Sequence, residues 1–142
     1  MGKVISIKEI SNFCIKRDHY LHDYYLFDGY EVTTDDGKYL VLIENEQNCC
    51  ENWGYFSSND NFEKYIGKEL TGVYLTNTAL NTQKFGELQR DYWLEDDQIQ
   101  FVDFCFSDGD KLQLAVYNAH NGYYGHAICV MHDDQFMLDD GL

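Results

Sequence analysis

The sequence predicts an α+β domain in which antiparallel β-strands, arranged as hairpins and a meander, outnumber one or two short helices. Three observations favour this fold class: short apolar segments alternate with Gly and Asp turns, helical periodicity is scarce, and 44% of the residues are hydrophobic, which is enough for a buried core. The length of 142 residues fits a single domain spanning 1–142, because one core typically serves about 100–150 residues.

Strand signals recur along most of the chain. Six segments are short, apolar or alternating, and we predict a strand at each: 29–34, 38–44, 69–76, 99–107, 111–118 and 127–132. Turns at Asp36-Gly37 and Asp108-Gly109 join the first two and the fourth and fifth of these segments as hairpins. A Gly-rich link precedes the last segment, so the second half of the chain predicts a three-stranded antiparallel meander.

Helical signals are short. Residues 62–66 carry apolar side chains at i, i+3 and i+4 between a Ser N-cap candidate and Gly67, which predicts a short helix. Residues 6–16 carry a weaker helical pattern, weakened by their β-branched side chains. The polar segment 82–98 predicts an exposed connection, and the acidic residues 133–142 predict a loose tail.

The charge of the chain bears on its partners. Asp and Glu number 25 against 10 Lys and Arg, which gives a formal net charge of −15. A nucleic-acid duplex would be repelled, because Lys and Arg supply most of the affinity for phosphate backbones. A basic protein surface would be attracted. The acidic clusters at 95–97, 133–134 and 139–140 are therefore candidate contacts with a basic protein, although solvated faces commonly carry such clusters.

No membrane or export signal is visible. The first residues contain no apolar leader, and no stretch approaches the roughly 18 apolar residues of a spanning helix, so we expect a cytoplasmic protein without a membrane segment. The cysteines number five, and Cys105 and Cys129 lie in strand-like apolar segments. An odd number placed in this way argues against a disulfide framework.

Two separated segments carry soft-metal ligand types. Cys49 and Cys50 lie in one segment, and His120 and His126 flank a Gly-rich turn in the other. Thiolate and imidazole suit Zn²⁺ in tetrahedral geometry, and two cysteines with two histidines form a familiar structural set. The sequence therefore predicts one structural zinc ion held by these four residues, which would staple the sheet.

Other interpretations of the same residues remain open. Adjacent side chains of a strand point to opposite faces, so both cysteines bind one ion only where the backbone turns. If one cysteine binds, Glu51 or water fills the fourth position, as in catalytic zinc sites. The four side chains also suit packing among aromatic residues without metal. Cys50 suits a thiol redox group or a nucleophile with His120 or His126 as its base.

Two sequence motifs carry a resemblance. Cys-Cys-Glu-Asn-Trp-Gly at 49–54 and His-Asn-Gly-Tyr-Tyr-Gly-His at 120–126 resemble a family of small domains, without an assigned activity, that is common in bacteriophages and their bacterial hosts. The likeness covers residues 29–130. In size, acidity and phage character the chain is also similar to anti-CRISPR proteins, among which some Cas9 inhibitors hold a structural metal.

These resemblances imply a binding function. We expect a phage-encoded, zinc-containing acidic protein that acts in the bacterial host cytoplasm and inhibits a nucleic-acid-guided defence nuclease, a Cas effector such as Cas9, by protein–protein interaction and without catalysis. The alternative is a zinc- or cysteine-dependent enzyme that uses Cys50 with His120 or His126. The sequence predicts no oligomeric state.

Overall fold

The computed structural model describes residues 2–16, 24–46, 51–120 and 125–142. Within these ranges two antiparallel sheets contain all the strands. The five-stranded sheet has the order β1-β2-β3-β8-β9, with β1 Val4–Lys16, β2 Tyr24–Thr34, β3 Gly37–Glu44, β8 Ala127–His132 and β9 Gln135–Gly141. The four-stranded sheet has the order β4-β7-β6-β5, with β4 Asn52–Ser57, β5 Leu70–Thr76, β6 Ile99–Phe106 and β7 Lys111–Ala119.

The main core lies between the two sheets. Alternate side chains of each strand point inward, because successive residues of a strand face opposite sides. In β3 these are Tyr39, Val41 and Ile43, and they join the buried cluster that also contains Phe104 of β6 and Leu114 of β7. The antiparallel, mainly β, α+β fold predicted from the sequence is thereby confirmed.

The outer face of each sheet is also covered. Helix α1, Thr82–Tyr92, places Phe85 and Leu88 against a cluster on the four-stranded sheet that includes Phe101 and Leu94. On the five-stranded sheet, Phe27 belongs to a second outer cluster formed with β1, β3 and β8. Within the described residues, no helix has the length and apolar character needed to cross a bilayer.

The two hairpins form where the turn residues predict them. β2 pairs with β3, and β6 pairs with β7. Gly109 has φ +88°, a left-handed conformation that glycine adopts without steric cost, which explains the turn before β7. The short helix predicted at 62–66 is a 3₁₀ helix at Phe62–Tyr65, and the strand predicted at 69–76 is β5.

Two predictions of local structure were wrong. The segment 6–16, predicted as a weak helix, belongs to β1, where a register shift between Val4 and Ser6 lets both Val4 and Ile7 reach the main core while Lys8 is exposed. The segment 82–98, predicted as an exposed connection, contains α1 and a second 3₁₀ helix at Asp96–Gln98. Only two apolar side chains face the sheet from α1, too few to give a periodic signal.

Two predictions about pairing also differ from the structure. β8 does not extend the second hairpin into a three-stranded meander; it pairs with β3 in the other sheet, with Val130 opposite Val41. Residues 133–142, predicted as a loose tail, form β9 from Gln135 to Gly141. Leu138 of β9 packs against the main core, which offsets the cost of ordering an acidic segment.

Candidate functional site

Glu51, His120 and His126 lie where the chain passes from one sheet to the other. Among the described strands, the chain leaves the five-stranded sheet after Glu44 and enters β4 at Asn52. It returns after Ala119 of β7 and enters β8 at Ala127. We call these two connections the sheet crossings. Glu51 ends the first crossing and His126 ends the second, and the fold brings these two side chains together.

The imidazole of His126 is held at both nitrogens. Nε2 lies 2.8 Å from Oε1 of Glu51, and Nδ1 lies against the backbone carbonyl of Glu44. Because a carbonyl oxygen only accepts, Nδ1 carries a hydrogen and donates it. Nε2 and the Glu51 carboxylate then share one proton, since a lone pair and a carboxylate both accept. The contact therefore joins an imidazole and a carboxyl group that hold one proton between them.

This pair is sealed from solvent. His126 is 1% exposed and Glu51 is 5% exposed. The indole of Trp53 stacks on the imidazole, with ring centroids 5.6 Å apart and an interplanar angle of 29°. The backbone of His126 exchanges two hydrogen bonds with Leu142, which follows β9. We call this unit the crossing clamp; in the described arrangement its imidazole is inaccessible to a substrate.

Glu44, the last residue of β3, places a carboxyl group next to the crossing clamp. Burial raises the pKa of the Glu44 carboxyl, while the backbone N–H of Ala127 and the nearby His126 oppose the rise. The side chain and the carbonyl of Glu44 thus serve different partners. The carbonyl fixes the His126 ring, and the carboxyl lies beside the start of β8.

The four sequence-predicted ligands have different outcomes. Cys49 and Cys50 lie outside the described residues. His120 follows β7 and is half-buried; its carbonyl accepts a 2.9 Å hydrogen bond from Nε2 of Gln98. His126 lies in the crossing clamp. The described residues 2–16, 24–46, 51–120 and 125–142 contain no group of three or more His, Cys, Asp or Glu side chains arranged for a metal ion.

Sequence reasoning assigned Glu51 only a secondary role, as a substitute ligand, and did not identify Glu44. The available signal for Glu51 was a carboxylate at the start of an apolar, aromatic segment, 51–56, that contains no cation. A carboxylate that enters such a segment needs a buried donor. The carbonyl of Glu44 has no sequence signature, because every residue carries the same group.

The surface carries a surplus of negative charge. Five lysines in the described residues lie 2.7–3.8 Å from carboxylate oxygens: Lys8, Lys38, Lys64, Lys68 and Lys84. The ammonium of Lys68 holds the pKa of Asp110 down at about 2. These five lysines are therefore largely neutralised by neighbouring carboxylates. The net charge of −15 resides on the carboxylates that are not paired with them.

Comparison with known protein families identifies a family model that matches most of the chain. Residues 2–130 match DUF7448, a domain of unknown function, and the chain belongs to that family. A search of curated proteins and a search of solved structures found no match. The function of this family is unknown, so the family match assigns no activity to the chain. The function is therefore inferred from the geometry of the crossing clamp and from the surface charge.

Proposed function

We propose that this member of the DUF7448 family is an acidic protein-binding domain that captures a basic partner protein and performs no catalysis of its own. The observation that carries the proposal is the surplus of surface carboxylates over free cations, with a net charge of −15. A field of this sign steers a Lys- and Arg-rich surface into contact and repels phosphate backbones. His and Glu are common in catalytic sites, but the burial of His126 and Glu51 supports a structural role for this pair.

The partner class that we propose is a nucleic-acid-guided defence nuclease, Cas9 in the first instance. Such enzymes hold guide and target strands in positively charged channels, so a compact acidic domain can occupy or abut the same surface. The similarity in type to anti-CRISPR proteins supports this choice. The domain would then be a phage-encoded inhibitor that acts in the host cytoplasm by occlusion or by holding the nuclease in an inactive conformation.

The test uses a purified Cas9–guide RNA complex and a target DNA duplex. We expect the protein to bind the complex and to reduce cleavage in proportion to the fraction of complex bound. Binding should weaken between about 0.1 and 0.5 M salt, because the Debye length falls and surface charges are screened. Full cleavage at saturating protein, with no detectable complex at low salt, would contradict the proposal for this nuclease.

We also propose a zinc-bound form of the crossing clamp, in which the metal takes the place of Glu51 at His126. The zinc ligands would be Cys49, Cys50, His120 and His126, and Cys50 directly precedes Glu51, which bonds His126. The carbonyl bond at Nδ1 is the arrangement that orients metal-binding imidazoles. Zinc at Nε2 would replace the proton that His126 shares with Glu51, so the carboxylate would have to turn aside.

Metal analysis of the purified protein and of Cys50→Ala tests this second proposal. A structural ion predicts about one zinc per chain in the parent and loss of both metal and fold in the variant. A folded variant that has lost the metal would favour the alternative, a zinc- or cysteine-dependent enzyme. Parent protein that folds without any metal, even when refolded with added zinc, would contradict zinc in either role.

A further inference from the structure

We propose that Trp93 is the anchor of the docking surface, and that its occupant is an Arg- and Lys-bearing segment of the partner protein. This inference rests on the proposed function and assigns it a place on the molecule. Trp93 follows the last residue of α1 and is 86% exposed, the most exposed large apolar side chain in the described residues. Tyr92 beside it is 41% exposed. Buried Trp side chains commonly dominate the binding energy of interfaces.

The fold does not need this indole. Trp93 has φ 57° and ψ 37°, the left-handed conformation that usually carries Gly or Asn where a helix ends. A bulky side chain is unfavourable there, because its Cβ crowds the backbone. At 86% exposure it gains little burial in return. A residue that is unfavourable in its backbone conformation and gains no packing in return is expected at a functional position.

The backbone that carries the indole is nevertheless anchored. On one side α1 packs through Phe85 and Leu88 on the four-stranded sheet. On the other side Leu94 is 4% exposed and enters the same cluster. Gln98 accepts from the backbone N–H of Glu95 and donates to the carbonyl of His120. Trp93 is thus presented on a short segment with both ends anchored, which lowers the entropy that binding must remove.

The charge around Trp93 selects the occupant. Residues 87–97 contain five carboxylates and one cation, Arg90, whose Nε lies 3.2 Å from Asp91. Asp96 and Asp97 are exposed within four residues of the indole, and the negative end of the α1 dipole points the same way. Guanidinium groups stack on indole faces and pair with carboxylates. A second copy of this chain, also acidic, is disfavoured by repulsion.

The experiment measures binding of a fluorescent nona-arginine peptide, and of the Cas9–guide RNA complex, to the full chain and its variants. Trp93→Ala should weaken binding by about 30-fold, the factor to which a hot spot of 2 kcal/mol corresponds. Trp93→Gly should weaken it similarly while its melting temperature equals or exceeds that of the parent. This second variant separates loss of contact from loss of fold.

A matched pair of double variants tests the carboxylates. Asp96→Asn with Asp97→Asn removes two negative charges beside Trp93, and Asp36→Asn with Glu63→Gln removes two exposed charges, one at the β2–β3 turn and one on the 3₁₀ helix Phe62–Tyr65. The first pair should weaken binding at least about fivefold more than the second, because close opposite charges act strongly across an interface while distant ones are screened.

The outcomes distinguish this inference from the proposed function. If the parent binds but Trp93→Ala binds equally well, or if both double variants lose the same affinity, the docking surface lies elsewhere and the proposed function stands. If the parent binds neither the peptide nor the nuclease complex at low salt, the proposed function fails and the inference fails with it. If sedimentation shows a dimer that Trp93→Ala converts to monomer, the occupant is a second copy and the inference is wrong.

Discussion

Replacing Glu51 by alanine tests whether the crossing clamp joins the two sheets. The substitution removes the carboxylate oxygen that lies 2.8 Å from Nε2 of His126. The imidazole remains held at Nδ1 by the Glu44 carbonyl, with its other nitrogen in a site that is 1% exposed. Water has little access there to replace the lost partner, so the full desolvation cost of Nε2 falls on the folded state.

The expected magnitude follows from this burial. Removing one member of a buried ionic pair costs about 3–5 kcal/mol, and leaving a neutral buried group unsatisfied costs about 1–3 kcal/mol. Because Glu51 shares a proton with His126, we expect Glu51→Ala to cost about 3–5 kcal/mol, the range for a buried ionic pair. Glu51→Gln should cost only about 1 kcal/mol, because its amide N–H donates to Nε2 without a shared proton.

Urea unfolding at pH 7, followed by Trp fluorescence, measures these differences. Unfolding of His126→Ala and of the double variant with Glu51→Ala completes a double-mutant cycle. We expect the double variant to cost about as much as either single variant, because the two groups act as one unit. An alanine variant that loses less than about 1 kcal/mol, or costs that simply add, would refute the clamp.

Three further predictions concern the core, the helix end and the ion pairs. Phe104→Ala should cost about 3–5 kcal/mol in urea unfolding, because the ring is fully buried between the sheets; a loss below about 1 kcal/mol would contradict the packing described. Trp93→Gly should stabilise the fold by about 1 kcal/mol through relief of the left-handed strain, and a lower melting temperature would oppose this account. The pKa of Asp110, lowered from 3.8 to about 2, adds stability that is present above pH 4 and lost as the pH falls through 2. This contribution is at most about 1 kcal/mol because the pair is near the surface. Lys68→Met should therefore lower the free energy of unfolding by up to that amount at pH 7, flatten its fall between about pH 4 and pH 2, and leave it equal to that of the parent below that window.

Local signals sufficed for both hairpins and for six of the nine strands in the described residues, but not for β1, β4 or β9. The Asp-Gly turns at Gly37 and Gly109 lie between strands whose alternation is visible in the sequence. Partner choice is another matter, because alternation specifies which face of β8 is buried and not which strand lies beside it. Helix α1 escaped prediction because Phe85 and Leu88 are its only apolar contacts with the sheet, in an otherwise polar segment.

At the candidate site, sequence reasoning brought Cys49 and Cys50 to one ion with His120 and His126, with Glu51 as a substitute ligand; of these side chains, the described residues place Glu51 against His126. Residue types identified the chemistry available there. They did not distinguish a proton from a metal ion between the same two atoms, because imidazole and carboxylate bind both. The zinc assignment to Cys49, Cys50, His120 and His126 stays a prediction.

The pairing of β8 with β3 affects how the protein is made. On the ribosome, β1 to β3 emerge first, but the edge of β3 finds its neighbour only after the whole four-stranded sheet has been translated. Until then the nascent chain exposes an open strand edge and the apolar face of Tyr39, Val41 and Ile43. Completion of the sheet therefore depends on a long-range closure late in synthesis, and contacts between residues so far apart in sequence favour slow folding.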